Sequence, residues 1–322
     1  MNKYLLLIPI LIIIIIIIYN LSKKTNYSNI TNDNNTFDLH VYPWGTQILL
    51  KDVLTSSWTG EVNNNKFVWE RKPQQYSGFY QLDTGSHLLT DLLMMNRKEV
   101  LDVLNKHNIK HDDLNSSGYA YLQGGTPPIN ISQDLRIDNK PFSNVPVGLM
   151  ALNDQENMLK EREIVNGVFG LSYIKEGHPL KQYSIVDSLL SNNSRKTVFI
   201  DFVNEKMITG LDKSPDKVQF KGKIDSPGKI MRMDVWIKDK RNNDYKMLVD
   251  TGTLYSQFKY TGRTDLQGIK ENTGLLIMKN AKMLPPSLVG NGKPVILGYN
   301  DLYKGSMFID FDNYLLYINQ NY

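Results

Sequence analysis

The sequence predicts an all-β protein, mainly strands with short helices, folded as two similar lobes and preceded by one transmembrane helix. Short apolar runs separated by turn residues recur along the chain, as strands and their connections do. A strand-like run that ends in Asp-Thr-Gly occurs twice, within Phe79–Ser86 and within Lys246–Thr253. Residues 4–21 contain no charged side chain. The duplicated run indicates two lobes, and the apolar segment indicates a membrane span.

Length, charge and cysteine content set bounds on the function. At 322 residues the chain is long enough for two lobes with separate cores. A formal net charge of +4 without a dense Lys/Arg run gives no reason to expect a nucleic-acid partner. The chain has no cysteine, which excludes disulfides and thiolate zinc sites. We therefore expect no nucleic acid and no thiolate-bound metal.

The amino terminus is predicted to anchor the protein in a membrane. After a tail of residues 1–3, residues 4–21 would span about 27 Å as a helix, close to the thickness of the hydrocarbon layer. The alternative is a cleaved signal peptide, but no small-x-small cleavage site follows. We predict a single-pass membrane protein of type II, with the rest of the chain lumenal or extracellular. Lys23 and Lys24 favour the opposite orientation.

The remainder of the chain divides by composition. Residues 22–40 are polar and rich in Asn and Thr, which is typical of a flexible tether. The segment from Lys213 to Gly228 is rich in Lys, Asp, Pro and Gly and is expected to begin the connection between lobes. These boundaries predict an N-terminal lobe at residues 41–210 and a C-terminal lobe at residues 211–322.

Local patterns predict the elements of the lobes in order. Val41–Val68 contains short apolar runs between turn signals, which favours the opening strands of a β-rich lobe. Helical periodicity, alternation and glycine pairs predict the elements that follow. They are a helix at Arg97–His107, a hairpin at Gly118–Thr126, helices at Gln155–Glu163 and Tyr183–Leu190, and strands at Thr197–Val203 and Met231–Ile237.

The two Asp-Thr-Gly triplets form the candidate catalytic site. If the lobes meet about a pseudo-two-fold axis, Asp83 and Asp250 come within hydrogen-bonding distance, where two carboxylates share one proton because both cannot ionise cheaply. One group is then a base while the other is an acid, so a water molecule between them can attack a carbonyl carbon. This chemistry hydrolyses amides without a metal or a covalent nucleophile. We therefore predict no metal and no cofactor.

Residues beside the acids are expected to support their geometry. Gly85 and Gly252 would let the backbone turn tightly beside the carboxyl groups. The hydroxyls of Ser86 and Thr253 could donate hydrogen bonds to the outer carboxylate oxygens. The predicted supporting residues are Thr84, Gly85, Ser86, Thr251, Gly252 and Thr253.

At these residues the sequence resembles the pepsin-like aspartic proteases. Each lobe of that family also carries two apolar residues and a glycine beneath the catalytic turn, and Val168–Leu171 and Val295–Gly298 match this pattern in the same order. The resemblance covers roughly residues 55–322. It implies a bilobal fold, a membrane-anchored aspartic endopeptidase, a polypeptide substrate in extended conformation and a monomer.

The resemblance also implies a hairpin over the cleft. Gly118–Thr126 has alternating aromatic residues followed by Gly-Gly, which is typical of a hairpin. In the family a hairpin at this point forms a flap with a tyrosine near its tip, which matches Tyr121, with Tyr119 as the alternative. The other interpretation is that both tyrosines are strand residues in the core. The predicted flap residues are Tyr121, Gly124 and Gly125.

The second lobe departs from the family pattern. The interval from Asp250 to Gly298 is little more than half the interval from Asp83 to Gly170, so the lobe is shortened where the family has much of its binding surface. Thr90 stands where relatives often have a tryptophan behind the flap. A second hypothesis is therefore a catalytically inactive protein of the same fold that binds a peptide or protein partner in its cleft.

Overall fold

Strands dominate the structure, a computed structural model of the 322-residue chain. The chain divides into two compact units, Met1–Thr36 and Phe37–Tyr322. Because strands far outnumber helices among the described residues, the predicted all-β class is confirmed. The described residues are 35–53, 58–63, 66–71, 77–93, 96–114, 127–151, 166–215, 219–224, 230–231, 233–238, 244–259, 269–271, 274–276, 282–284 and 295–320.

The secondary structure of these residues consists of short strands, two α-helices and two 3₁₀ turns. The first half of the chain contains β1 (Thr36–Tyr42), β2 (Gly45–Lys51), β3 (Trp58–Asn63), β4 (Lys66–Arg71), β5 (Ser77–Asp83), β6 (Leu89–Leu93), α1 (Arg97–Lys106), β7 (His111–Asp113), β8 (Ile129–Ile137), β9 (Lys140–Ala151), β10 (Gly167–Gly170), β11 (Tyr173–Ile174), a 3₁₀ turn (Lys181–Tyr183), α2 (Ile185–Leu190), β12 (Thr197–Asp201) and β13 (Lys206–Thr209). The second half contains β14 (Phe220–Lys223), β15 (Ile230–Met231), β16 (Asp234–Lys238), β17 (Asp244–Asp250), β18 (Gln257–Lys259), β19 (Ile269–Glu271), β20 (Gly274–Leu276), β21 (Lys282–Leu284), β22 (Val295–Gly298), a 3₁₀ turn (Tyr299–Asp301), β23 (Ser306–Asp310) and β24 (Leu315–Asn319).

Most of these strands belong to two sheets. The larger has thirteen strands in the order β14-β24-β23-β12-β13-β1-β2-β5-β10-β6-β9-β8-β7, and an additional pairing of β2 with β8 closes part of it on itself. The second has five strands in the order β16-β17-β22-β18-β21. Strands β12 and β23 are buried along their whole length, which suits strands at the centre of a sheet that is covered on both faces.

One strand arrangement occurs twice. In the first half, β5 pairs parallel with β10, β10 antiparallel with β6, and β6 parallel with β9. In the second half, β17 pairs parallel with β22, β22 antiparallel with β18, and β18 parallel with β21. An antiparallel strand lies on the other side of the first member of each set, β2 beside β5 and β16 beside β17. The same order and the same directions indicate a duplicated unit.

The two halves meet in the larger sheet, where β12 pairs antiparallel with β23. Each of these strands begins a hairpin, β12–β13 in the first half and β23–β24 in the second. Phe199 of β12 lies opposite Phe308 of β23. Because Phe199 and Phe308 hold the same position in their hairpins, their pairing is the register that a two-fold rotation between the hairpins produces.

The turns of these two hairpins are built alike. The sequence Phe-Ile-Asp-Phe-x-Asn occurs at Phe199–Asn204 and at Phe308–Asn313. In each turn the aspartate accepts hydrogen bonds from the backbone N–H and the side-chain amide of the asparagine, at 2.9 and 2.7 Å in the first and 3.0 and 2.7 Å in the second. The next residue, Glu205 or Tyr314, has a φ of 56° in both turns. The duplication therefore extends to the turn geometry.

The hydrophobic core fixes the strands that carry the Asp-Thr-Gly triplets. Leu82 and Val249, which precede the two aspartates, are fully buried, as are Phe169 and Leu297 on the neighbouring strands. All four belong to the same apolar cluster. Burying an aliphatic or aromatic side chain of this size contributes about 1.5–3 kcal/mol, so the position of the triplets is coupled to the stability of the fold.

Helix α1 (Arg97–Lys106) agrees with the helix predicted at Arg97–His107 and begins with a capping box. The side chain of Asn96 accepts a hydrogen bond from the backbone N–H of Glu99 at 3.0 Å, and the Glu99 carboxylate accepts one from the backbone N–H of Asn96 at 2.8 Å. Val100 and Leu104 are buried one turn apart, which makes this a packing helix.

Two predicted elements differ from the observed ones. The predicted strand at Met231–Ile237 is observed as β15 and β16. Strand β1 begins at Thr36, inside the predicted tether of residues 22–40. Phe37 and Leu39 are buried and flank the exposed Asp38, so the tether ends before residue 36 and the apolar alternation marks the start of the fold.

Several predicted elements lie outside the described residues. They are the anchor at residues 4–21, the hairpin at Gly118–Thr126 and the helix at Gln155–Glu163. Within the part of the chain that the structure describes, no helix combines the length and the apolar character needed to cross a membrane.

Candidate functional site

The two Asp-Thr-Gly triplets follow equivalent strands of the duplicated unit. Asp83 is the last residue of β5, and Asp250 is the last residue of β17. Gly170 of β10 lies opposite Asp83, and Gly298 of β22 lies opposite Asp250. A Cβ atom at either glycine would lie 2.7 Å or less from backbone atoms of the adjacent loop. Each apolar-Gly motif therefore packs beside a triplet with no room for a larger residue.

The side chains of the two aspartates meet. The carboxyl group of Asp83 shares a hydrogen bond with the carboxyl group of Asp250, and both residues are half-buried. A Cβ atom added at Gly85 would lie 2.7 Å from Cγ of Asp250, and one added at Gly252 would lie 2.5 Å from Cγ of Asp83. Each glycine thus leaves the space that the opposite carboxyl group occupies.

Two buried threonines join the triplets by reciprocal hydrogen bonds. The Thr84 hydroxyl donates to the backbone carbonyl of Val249 at 2.8 Å, and the Thr251 hydroxyl donates to that of Leu82 at 2.8 Å. Each hydroxyl also accepts the backbone N–H of the other threonine at 3.1 Å. These four bonds connect residues more than 160 positions apart and fix the separation of the acids.

The donors to the two carboxyl groups are similar but not identical. Asp83 accepts the backbone N–H of Gly85 at 2.6 Å and that of Ser86. Asp250 accepts the backbone N–H of Gly252 at 2.9 Å and that of Thr253 at 3.2 Å, and it also accepts the Thr253 hydroxyl at 2.9 Å. The hydroxyl contact predicted for Thr253 is therefore present, whereas Ser86 reaches Asp83 through its backbone.

The surroundings of Asp83 favour its protonated form. The pKa of Asp83 is raised well above its usual range, first by burial of the carboxyl group and then by the charge of Asp250 and the hydrogen bond with it. The backbone N–H groups of Gly85 and Ser86 act in the opposite direction, but they do not outweigh burial and the neighbouring acid. The pair can therefore hold one proton at a pH where isolated carboxyl groups would be ionised.

The predicted flap residues Tyr121, Gly124 and Gly125, and the alternative Tyr119, lie outside the described residues. Their placement over the site stays a prediction. Among the residues that are described, no group of three or more His, Asp or Glu side chains is close enough to hold a metal ion.

Three residues near the site were not anticipated from the sequence. Gln81 of β5 donates a hydrogen bond from its side chain to the backbone carbonyl of Gly252 at 3.4 Å. Behind the second triplet, the Ser256 hydroxyl donates to Asp301 at 2.6 Å. Tyr299, directly after β22, donates from its hydroxyl to the backbone carbonyl of Tyr42 at 2.8 Å. No local pattern marks these contacts, because each joins segments distant in sequence.

A signal for the duplication itself was present in the sequence. The Phe-Ile-Asp-Phe-x-Asn repeat of the two central hairpins is found by comparing the chain with itself, and it would have added a third pair of matching segments. No model of a known protein family matches this sequence, and no curated protein matches it. The functional argument therefore depends on the geometry of the site.

Proposed function

We propose that the protein is an aspartic endopeptidase that hydrolyses peptide bonds with a water molecule activated between Asp83 and Asp250. The observation that carries this proposal is the hydrogen-bonded carboxyl pair, held together by the reciprocal contacts of Thr84 and Thr251. Two acids this close repel each other when both are ionised, so the arrangement reduces stability, and such destabilising pairs are typical of functional sites.

We propose that the fold is the bilobal pepsin-like fold, with residues 41–210 and 211–322 as its lobes. The repeated strand arrangement around β5 and around β17 supports this proposal, as does the two-fold register of Phe199 and Phe308. The order of the four motifs along the chain supports it as well.

The proposed reaction uses the two carboxyl groups in opposite protonation states. The water oxygen attacks the carbonyl carbon of the peptide while one water proton passes to the ionised carboxylate, and the protonated carboxyl group gives its proton to the carbonyl oxygen. The resulting tetrahedral diol then loses the C–N bond: the nitrogen takes a proton from one carboxyl group and leaves as an amine, and a hydroxyl proton returns to the other. The pair ends with the one proton it began with, and no cofactor is consumed.

The proposed substrate is a polypeptide in extended conformation, bound by a monomer. In this proposal Tyr121, Gly124 and Gly125 belong to a flap that closes over the substrate and excludes water. We also propose that residues 4–21 anchor the protein in a membrane as a single-pass type II segment, which would place the site in a lumenal or extracellular space. The length and the apolar character of the segment support this placement.

The test is a cleavage assay with the full-length protein in detergent. An acid-denatured protein substrate should be cleaved at acidic pH, and a statine-type mimic of the tetrahedral diol should stop the cleavage because it resembles the transition state more than the substrate does. Asp83→Asn and Asp250→Asn should each reduce kcat by about 10³-fold or more, because the two acids act as a unit. Thermal melts should show that both variants stay folded.

The alternative function has a distinct outcome. The short interval between Asp250 and Gly298 favours a protein that binds a peptide or protein partner without cleaving it. That function would appear as binding of the statine-type peptide by a wild-type protein that cleaves nothing. Cleavage that survives either Asp→Asn change would show that the carboxyl pair is not the catalyst.

A further inference from the structure

The strand that ends in Asp83 carries a second polar residue on the same face. Side chains alternate along a strand, so Gln81 points to the same side of β5 as Asp83. Its side-chain amide donates to the backbone carbonyl of Gly252, at 3.4 Å, in the triplet of the other half. Beyond the threonine contacts, this bond is a further link between the two halves beside the carboxyl pair.

The peptide group that Gln81 contacts also touches Asp250. The carbonyl of Gly252 and the N–H of Thr253 belong to the same peptide group, and that N–H donates to Oδ1 of Asp250 at 3.2 Å. It is shared with the backbone carbonyl of Asp250 at 3.3 Å. A hydrogen bond to the carbonyl oxygen of a peptide group polarises the N–H of the same group. The hydrogen bond that this N–H donates then becomes stronger. The amide of Gln81 therefore strengthens a bond that favours the ionised form of Asp250.

The equivalent position in the other half has no such donor. Leu248 stands two residues before Asp250, as Gln81 stands two residues before Asp83, and it is buried. A hydrocarbon side chain cannot donate to the carbonyl of Gly85, the equivalent of Gly252. Asp250 also receives the Thr253 hydroxyl, for which Asp83 has no counterpart among the contacts that the structure describes. Both differences favour negative charge on Asp250.

We propose that Gln81 is a positioning residue that makes Asp250 the ionised member of the pair and leaves the shared proton on Asp83. This proposal also assigns the catalytic roles, and that assignment rests on the function proposed above. Asp250 accepts the proton of the attacking water, and Asp83 gives its proton to the carbonyl oxygen.

Other titratable groups lie on the strands and turns that adjoin the pair. The two strands beside the triplets, β10 and β22, carry no titratable side chain. On β5 itself, the hydroxyl of Tyr80 is directed to Asp91 at 2.8 Å. The charge that raises the pKa of Asp83 is that of Asp250. The described segments that adjoin the triplets carry further titratable residues: His87 after the first triplet, Asp244, Tyr245 and Lys246 before Asp250 on β17, Tyr255 and Lys259 after the second triplet, and Tyr299, Asp301, Tyr303 and Lys304 after β22.

The test is a carboxyl titration that does not depend on catalysis. The full-length protein is labelled with ¹³C at the aspartate carboxyl carbons, and the two resonances are assigned with Asp83→Asn and Asp250→Asn. At a pH between the two ionisations of the wild type, Asp250 should show the carboxylate shift and Asp83 the carboxylic acid shift. Gln81→Met keeps the length of the side chain but removes the donor. It should move the first ionisation of the pair to higher pH, with a change of about three- to tenfold in the ionisation constant.

Two further variants complete the design. Gln81→Leu introduces the residue that stands at the equivalent position 248, and it should raise the pH of the first ionisation as Gln81→Met does. With two variants, a folding defect in one of them does not prevent the test. Gln182→Met, the same substitution at an exposed glutamine, should leave the titration unchanged. If the protein cleaves peptides, the acid limb of the kcat/KM profile should move to higher pH in Gln81→Met, with little change of KM.

The outcomes separate this inference from the proposed function. An unchanged first ionisation in a folded Gln81→Met, or a proton found on Asp250 in the wild type, would overturn the inference even if the protein cleaves peptides. A wild type that cleaves nothing but shows the expected shift in Gln81→Met would contradict the endopeptidase proposal and leave the role of Gln81 intact.

Discussion

The two Asp-Thr-Gly turns have the same framework and different surroundings. In each, a strand ends in the aspartate, a buried threonine bonds the opposite strand, and a glycine leaves room for the opposite carboxyl group. The residues around this framework differ. Ser86 contacts its aspartate through the backbone alone, whereas Thr253 also uses its hydroxyl. Gln81 donates across to the other half, whereas Leu248 is apolar.

The features that the two turns share are those that two-fold symmetry requires. Each threonine hydroxyl bonds the backbone of the opposite half, so the bonds form in pairs only if the two turns have the same conformation. The features that differ between the turns are those that the proposed chemistry requires. Two acids in identical surroundings would have no preference for which one holds the proton, whereas an acid and a base need different surroundings.

Among the changes that compare the two turns, the largest expected effect comes from filling the space between them. Gly85→Ala and Gly252→Ala would each bring a methyl group within 2.7 Å of the opposite aspartate Cγ, so the carboxyl groups must move apart. A displacement of about 1 Å at reacting groups reduces kcat by about 10²-fold, and we expect at least that for each variant. Single-turnover assays at saturating substrate measure the loss.

A matched glycine gives the control. A Cβ atom at Gly45 would meet its nearest neighbour, the side-chain nitrogen of Gln81, at 3.5 Å. This is an ordinary contact that displaces neither Gln81 nor a carboxyl group, so Gly45→Ala should keep nearly full activity. Full activity in both Gly85→Ala and Gly252→Ala would show that the carboxyl groups need not touch. A large difference between these two variants would show that the halves tolerate strain unequally.

The next effect is on stability and tests the reciprocal threonines. Thr84→Val and Thr251→Val keep the shape but leave a buried carbonyl and a buried N–H without their partners, which destabilises a fold by about 2–4 kcal/mol. The double variant should lose less than the sum of the two, because the threonines share one network. Urea unfolding measures all three.

A buried threonine elsewhere supplies the control for this comparison. Within the described part of the chain, the hydroxyl of Thr90 is fully buried and has no hydrogen-bond partner. Thr90→Val should therefore change the free energy of unfolding little or increase it. Strict additivity of Thr84→Val and Thr251→Val would contradict a shared network.

The two acids whose carboxyl groups meet could be predicted from the sequence, because each belongs to a local motif. Asp83 and Asp250 each follow an apolar run and precede Thr-Gly, and each has a glycine motif later in its half. The all-β class was predictable for the same reason, since alternation and turn residues are local signals. The strand at the end of the predicted tether was missed because its alternation is short, with Phe37 and Leu39 as the two buried positions.

Contacts between the halves could not be read from local patterns. The sequence predicted that Thr84 and Thr251 support the acids, but it did not predict that their hydroxyls bond the backbone of the opposite half. No local pattern distinguishes Gln81 from the other residues of the strand-like run before Asp83. Its role depends on which carbonyl lies across the site, and that follows from the pairing of strands far apart in the chain.

A third prediction concerns pH and has the opposite sign from the first two. The folded protein binds the Asp83 proton more tightly than the unfolded chain does, because the pKa of Asp83 is raised by burial and by Asp250. This contribution to stability is fully present below the unfolded pKa of about 3.9 and is lost as the pH rises through the folded pKa. Asp83→Asn does not titrate, so it should gain stability relative to the wild type between pH 4 and pH 7.

Thermal melts across this range measure the difference between the two proteins. Asp301→Asn, at a buried acid behind the second turn whose carboxylate accepts the Ser256 hydroxyl at 2.6 Å, separates a general effect of carboxyl removal from the effect of the pair. A constant difference between the wild type and Asp83→Asn from pH 4 to pH 7 would contradict the raised pKa of Asp83.

The smallest expected effect is on stability and concerns Tyr299, which directly follows the apolar-Gly motif of the second half. Leu171 holds the same position in the first half. The Tyr299 hydroxyl donates to Tyr42 at 2.8 Å and accepts from Thr46 at 3.0 Å, so Tyr299→Phe should lower the free energy of unfolding by about 1–2 kcal/mol. Burial raises the pKa of Tyr299 to about 12, so this phenol stays neutral and the loss should be the same at pH 5 and pH 8. Tyr314→Phe is the control, because the Tyr314 hydroxyl forms no hydrogen bond with a described residue. If Tyr314→Phe lost as much stability as Tyr299→Phe, the contacts with Tyr42 and Thr46 would not be the source of the loss in Tyr299→Phe.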